Sequence, residues 1–294
     1  GCGPSRSRAE LKLNDSLTLS DGTQMPLFGL GTWLSEGKGE CEKAVQIALK
    51  NGYKLIDTAA LYKNEEDVGK AVSAYLKEMK LERKDVYIVT KLHWDCHGKE
   101  KALEQIKEQV KKLQVDYVDL YLMHSPKGGK VLETWDAFVE AKKLGLTKSI
   151  GVSNFGPAQL KGLKDAGKEV PAVNQIELHV WNQQKEAVEY MEKENIAIMG
   201  YCPLGRCKQF GKTDVAKVAE ELKVTEAQVA IRWSVQKGYI TIPKSSNEGR
   251  IKMNAEVFSF EIPESMMKQL DGCDTGFCAS SSVKTMLLPW DEVK

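Results

Sequence analysis

The sequence predicts an α/β fold, a single (β/α)8 TIM barrel with an N-terminal β-hairpin cap, on three observations. Eight short apolar runs alternate with amphipathic segments along the 294 residues. Several of those runs are apolar throughout, as parallel strands covered on both faces must be. Polar or ionisable residues close nearly every run at its carboxyl end, where a barrel of this kind carries its chemistry.

The elements follow in order. Residues 16–19 and 25–28 flank Asp21-Gly22, and an Asp-Gly pair between apolar runs is a hairpin signal. Strands are expected at 27–32, 54–58, 86–92, 118–124, 149–153, 172–177, 197–201 and 240–244. Helices are expected at 40–50, 65–80, 100–113, 132–144 and 183–194, where apolar residues recur three or four apart. A doubly wound sheet is the competing arrangement, but its Gly-x-Gly-x-x-Gly turn is missing: Gly29-Leu30-Gly31 runs into Thr32-Trp33 with no third glycine. Residues 16–294 are read as one barrel domain and residues 1–15 as a flexible leader.

Composition narrows the partners. Lysine and arginine total 42 against 41 aspartate and glutamate, so no long-range field favours nucleic acid or an anionic membrane. A small-molecule partner is expected, with no nucleic acid. Seven cysteines, at 2, 41, 96, 202, 207, 273 and 278, form no CxxC or Cys/His ligand grouping, and no metal is expected. Their odd number fits a reducing, cytoplasmic setting better than a disulfide framework. No apolar run approaches the roughly 20 residues that cross a bilayer. Gly1-Cys2-Gly3-Pro4-Ser5 with Arg6 and Arg8 suits myristoylation and palmitoylation at Gly1 and Cys2, which would tether the domain to a membrane. A polar leader without such a role is the reading favoured over it.

Four strand-end residues suggest a chemistry. Lys91 ends the apolar run Ile88-Val89-Thr90-Lys91-Leu92, where an unpaired ammonium is costly. Asp57 ends another strand and can pair with it. Tyr62 lies five residues beyond Asp57 in the loop entering the next helix, and His124 closes a further strand. Taken singly, each has a structural explanation: a turn cap, an amphipathic rim residue, a satisfied polar group. Taken together they form an acid–base set, because a carbonyl reduced by hydride develops an alkoxide that must be protonated as it forms. Tyr62 would be the proton donor. Lys91 would lower its pKa from about 10, Asp57 would hold Lys91 charged, and neutral His124 would orient the carbonyl.

At these positions the sequence resembles the aldo-keto reductase superfamily, whose tetrad is Asp, Tyr, Lys and His in that order. The matching stretches are DTAALYKNE, TKL and DYVDLYLMHSP, with GLGTW at 29–33, IGVSNF at 150–155, PAVNQIELH at 171–179, GYCPLG at 200–205, and IPKS with Arg250 and Asn254. The resemblance runs over residues 16–270. It implies an NADPH-dependent reductase of aldehydes and ketones, monomeric, with NADPH/NADP+ as cofactor and Asp57, Tyr62, Lys91 and His124 as catalytic residues. The cofactor would contact Gly31, Thr32, Trp33, Asp57, Ser153, Asn154, Gln175, Tyr201, Cys202 and Leu204. Ser153, Asn154 and Gln175 would hold the carboxamide, and Tyr201 would stack on the ring. Lys244, Ser245, Ser246, Asn247, Arg250 and Asn254 would receive a 2′-phosphate near a helix N-terminus. Trp33, Tyr62, Trp94 and His124 would meet the substrate. A different functional class stays open, since potassium-channel β subunits use this barrel as an NADP(H)-binding, redox-sensing regulatory subunit.

Two departures from the family pattern bear on the site. Ser125-Pro126 stands where many relatives have a tryptophan after the histidine, so a wider or more polar pocket is expected. The stretch from Leu204 to Thr213 is short beside the cofactor strap of mammalian members, so fast cofactor exchange is expected. Residues 272–294, with Phe277 and Trp290, correspond in position to a variable specificity loop.

Overall fold

The computed structural model describes residues 11–294. The possible acylation motif at Gly1 and Cys2 lies outside the described residues. Residues 11–15 are described, and Leu11 and Leu13 pack against the apolar core. Among the described residues no helix is long and apolar enough to cross a membrane.

The hairpin forms as expected. Strands β1 (Ser16–Thr18) and β2 (Gln24–Pro26) pair antiparallel, Leu17 facing Met25. Gly22 takes the left-handed φ of +86° that the turn requires, and Asp21 Oδ1 accepts from both the backbone N–H and the hydroxyl of Thr23. Asp21 Oδ2 also accepts from the Ser149 hydroxyl at 2.6 Å, which ties the hairpin to the amino end of the barrel.

Eight parallel strands follow in sequential order: β3 (Gly29–Gly31), β4 (Leu55–Asp57), β5 (Tyr87–Leu92), β6 (Val118–Met123), β7 (Thr147–Ser153), β8 (Val173–Glu177), β9 (Ala197–Tyr201) and β10 (Ile240–Thr241). Parallel bridges from Phe28 to Thr241 and from Gly31 to Lys244 join the last strand to the first, so the sheet closes. The expected eighth strand ran to Lys244, whereas β10 ends at Thr241. Pro243 lacks the N–H that would continue the ladder, and only its carbonyl is used, by Gly31 N.

Helices α1 (Glu40–Lys50), α2 (Glu65–Met79), α3 (Lys99–Lys112), α4 (Val131–Lys143), α5 (Pro157–Asp165) and α6 (Lys185–Lys193) each follow a strand. Two helices, α7 (Asp214–Leu222) and α8 (Glu226–Gln236), separate β9 from β10. Helices α9 (Glu248–Ala255), α10 (Glu264–Asp271) and α11 (Trp290–Val293) complete the chain.

The two-residue period of a strand sorts the side chains into two cores. Ile56, Ile88, Tyr121, Ile150, Val152 and Ile176 point outward and pack under the helices. Leu55, Val89, Leu120, Leu122, Val173, Met199 and Ile240 point inward and meet Leu19 and Met25 of the hairpin region. Gly151 is one of the inward positions. A Cβ there would come within 2.4 Å of the Val173 carbonyl oxygen and 2.8 Å of a Leu122 methyl, so only glycine fits. Two residues beyond inward Leu55, Val89, Leu122, Val173 and Met199 come Asp57, Lys91, His124, Gln175 and Tyr201. The pleat itself thus gathers the strand-end polar residues over an apolar plug.

Candidate active site

Lys91 and Asp57 meet inside the mouth of the barrel. Lys91 Nζ donates to Asp57 Oδ1 at 2.6 Å and to the Thr58 carbonyl at 3.0 Å, and the two side chains are 0% and 2% exposed. A buried ammonium is tolerated only with such partners. Asp57 Oδ2 accepts from Gln175 Nε2 at 2.8 Å, so both carboxylate oxygens are used. Burial pushes the Asp57 carboxyl up and the Lys91 ammonium down, and the opposite charge of the other opposes each shift.

Tyr62 sits on a 3-10 turn, Ala60–Tyr62, directly after β4. Its hydroxyl lies 3.1 Å from Lys91 Nζ, which also stands 4.8 Å from the ring centroid. The turn is pinned by Asn64. The Thr58 hydroxyl donates to Asn64 Oδ1, while Asn64 Nδ2 donates to the carbonyls of Thr32 and Ser35. The buried Asn64 therefore braces the Tyr62 loop against the loop after β3, a role that no motif spacing signalled.

One expectation is corrected here. Lys91 was expected to lower the Tyr62 pKa, but burial raises it well above the ordinary phenol value, and the Asp57 carboxylate adds to the rise. The phenol therefore stays protonated. A protonated phenol beside a charged ammonium is the form that can give a proton to an alkoxide as it develops.

His124 approaches Tyr62 edge to face, ring centroids 5.7 Å apart, and Trp94 likewise at 5.8 Å. Burial holds the imidazole well below its ordinary pKa, helped by the Lys91 charge, so the ring is neutral. Its Nδ1 is buried without a hydrogen-bond partner.

These groups open on one cleft at the barrel mouth. Gly31, Trp33, Asp57, Tyr62, Trp94 and His124 line it. So do Ser153, Asn154, Gln175, Tyr201, Cys202 and Lys244. The amide groups are already organised. Asn154 Nδ2 donates to the His124 carbonyl, Asn154 Oδ1 accepts from the Tyr201 hydroxyl at 2.8 Å, and the Ser153 hydroxyl donates to the Gln175 carbonyl.

Other expected residues stand off the cleft wall. Thr32 is buried with its hydroxyl donating to the Asp57 carbonyl, and Leu204 packs against the core. Beyond Lys244 the chain turns into α9. The Ser245 hydroxyl accepts from Asn247 N, Asn247 Oδ1 caps Arg250 N, Lys244 Nζ donates to Ser246, and Asn254 is buried. Lys244 and Arg250 are exposed beside that N-terminus. Ser125, expected to widen or polarise the pocket, is buried and accepts from Lys127 N through its hydroxyl.

Sequence reasoning missed Leu61, Ile242, Ser280 and Ser282 on the cleft wall. The two serines belong to the segment 272–294, whose position suggested a specificity loop, but without periodicity nothing singled out these residues within it. It also missed Arg206 in the short loop after β9, whose guanidinium lies 4.5 Å from the Trp33 ring centroid.

Residues 28–275 match the profile of the Aldo/keto reductase family. The chain is 38% identical over 259 residues to the glyoxal reductase of Bacillus subtilis, covering 88% of this chain and 92% of that protein. It is 38% identical over 258 residues to the 9,11-endoperoxide prostaglandin H2 reductase of Trypanosoma cruzi, covering 87% and 90%. The crystal structure of a Bombyx mori aldo-keto reductase in complex with NADP superposes with a TM-score of 0.87 at 30% identity, over 96% of this chain and 100% of that one. With the barrel, the strand-end set and these similarities in agreement, the chain belongs to the aldo/keto reductase family.

Proposed function

We propose that the protein reduces aldehydes and ketones to alcohols with NADPH, Tyr62 serving as general acid. The observation that carries this reading is the chain of contacts Asp57, Lys91, Tyr62, set beside neutral His124 in a single cleft. NADPH, when bound, supplies the hydride.

The residues present suit that cofactor. Ser153, Asn154 and Gln175 offer the paired donors and acceptors that a carboxamide needs, and Tyr201 offers an aromatic face for a flat ring. Gly31 brings bare backbone to the cleft wall, where a Cβ would lie 2.9 Å from the Ile242 carbonyl oxygen. Lys244 and Arg250, exposed beside the capped start of α9, suit a 2′-phosphate.

Tyr62 then gives its proton to the carbonyl oxygen as the alkoxide forms. Lys91, 3.1 Å away, stabilises the phenolate left behind, and Asp57 keeps Lys91 in place. His124 orients the carbonyl. With no acceptor at Nδ1, its ring proton is best placed on Nε2, where it can donate to the substrate oxygen. Trp33 and Trp94 shape the substrate end of the cleft.

The test follows nicotinamide absorbance with a panel of aldehydes and ketones. Sustained turnover is the expected result. Oxidation of one equivalent of NADPH followed by arrest would favour the redox-sensing regulatory class instead.

A further inference from the structure

The segment after α10 has little framework of its own. Before α11 it forms only a 3-10 stretch, Ser281–Leu287, so its path is set by groups on the barrel. The Trp181 carbonyl accepts from Thr275 N and Phe277 N at 3.1 and 3.0 Å. Gln159 Nε2 donates to the carbonyls of Thr285 and Leu288 at 2.8 and 2.9 Å.

Between these anchors lies a charged one. Ala279 N and Ser280 N donate to Glu177 Oε1 and Oε2 at 2.6 and 2.8 Å. Glu177 closes β8 with its side chain 0% exposed, and His179 Nε2 lies 2.9 Å from Oε1. Burying a carboxylate is costly unless donors surround it, and here three converge. Glu177 does not line the cleft, whereas Ser280 and Ser282 do. Glu177 is also the register partner of Tyr201, so the anchor stands beside a cleft residue.

We propose that Glu177 is a positioning residue: by fixing Ser280 and Ser282 as a wall of the carbonyl pocket, it sets which carbonyl compounds fit without touching them. The selectivity part rests on the reductase reading above. Neutral anchors hold the segment on both sides, so loss of the charged one frees the stretch between them while the ends stay docked. The wall adds two hydroxyls to a cleft whose lining also includes the apolar side chains of Trp33, Leu61, Trp94 and Ile242, so its displacement penalises bulky, hydroxyl-bearing aldehydes more than small ones.

The experiment compares the protein with its Glu177→Gln variant, both loaded with NADP+, by hydrogen exchange resolved to single amides. Steady-state kinetics then use propanal and a hydroxylated aromatic aldehyde. Exchange at Ala279 and Ser280 should rise about tenfold or more while β4 to β6 keep their protection. KM for the aromatic aldehyde should rise about tenfold, with kcat for propanal nearly unchanged. Unchanged exchange at the two amides, or equal KM changes for both aldehydes, overturns the proposal.

If the Glu177 variant does not fold, Ser280→Ala with Ser282→Ala decides. This pair leaves the backbone anchor intact and must raise the same KM ratio, and no change overturns the wall. Absence of turnover by the unaltered protein would count against the reductase reading alone, because the exchange comparison needs no activity.

Discussion

Replacing Tyr62 by phenylalanine separates chemistry from packing. The substitution removes one hydroxyl and its 3.1 Å hydrogen bond to Lys91, but Lys91 keeps Asp57 and the Thr58 carbonyl. The ring retains its edge-to-face contact with His124 and its place 4.8 Å from the Lys91 ammonium. The expected stability loss is therefore that of one hydrogen bond, about 1 kcal/mol. Loss of the general acid should slow turnover by about 10² to 10⁴, equivalent to roughly 2.7 to 5.4 kcal/mol in the barrier. Steady-state aldehyde reduction measures the second figure, and a fluorescence titration with NADPH checks that cofactor affinity is retained. Lys91→Met is the contrasting case. It strands Asp57, 2% exposed, with Gln175 as its remaining side-chain partner, and should cost about 3 to 5 kcal/mol of stability as well as activity. A Tyr62→Phe protein that turned over within about threefold of the parent, at unchanged NADPH affinity, would refute the proton-donor assignment.

Further outcomes follow from the same geometry. Because burial raises Tyr62 and lowers His124, the phenol stays protonated and the imidazole neutral over roughly pH 6.5 to 9, so kcat for reduction should be flat there. Alcohol oxidation needs the phenolate and should rise with pH; a reduction rate that fell off near neutrality would contradict this. Changing Lys244 and Arg250 to methionine should weaken NADPH binding about tenfold or more and NADH binding far less, as titration with each cofactor would show. Equal losses would mean that these cations do not meet the 2′-phosphate. Gly151→Ala forces a Cβ against the Val173 carbonyl and should cost about 1 to 3 kcal/mol, read as a melting temperature lowered by several degrees.

Much of this was legible because strands impose a simple rule. Alternation along Tyr87, Val89 and Lys91 fixes which side chains share the interior, and the closing polar residue of each run falls at the mouth. The Asp21-Gly22 turn was legible for a similarly local reason. What escaped depended on the surroundings rather than on spacing. The direction of the Tyr62 shift is decided by how much water the folded walls exclude, which no dipeptide records. Asn64 and Glu177 act through backbone groups far along the chain, at Thr32 and Ser35 for one and at Ala279 and Ser280 for the other. A polar residue that serves distant backbone looks in a sequence like any loop or strand-end residue.

The apolar plug beneath the site has a consequence for proton traffic. Leu55, Val89, Leu122, Val173 and Met199 fill the barrel below the acid–base layer, and the hairpin region covers their other side. Under the proposed reductase reading, a phenolate formed at Tyr62 would be recharged from the solvent at the open rim, the same doorway through which an alcohol product would leave. On that reading, proton return and product release would share a single passage.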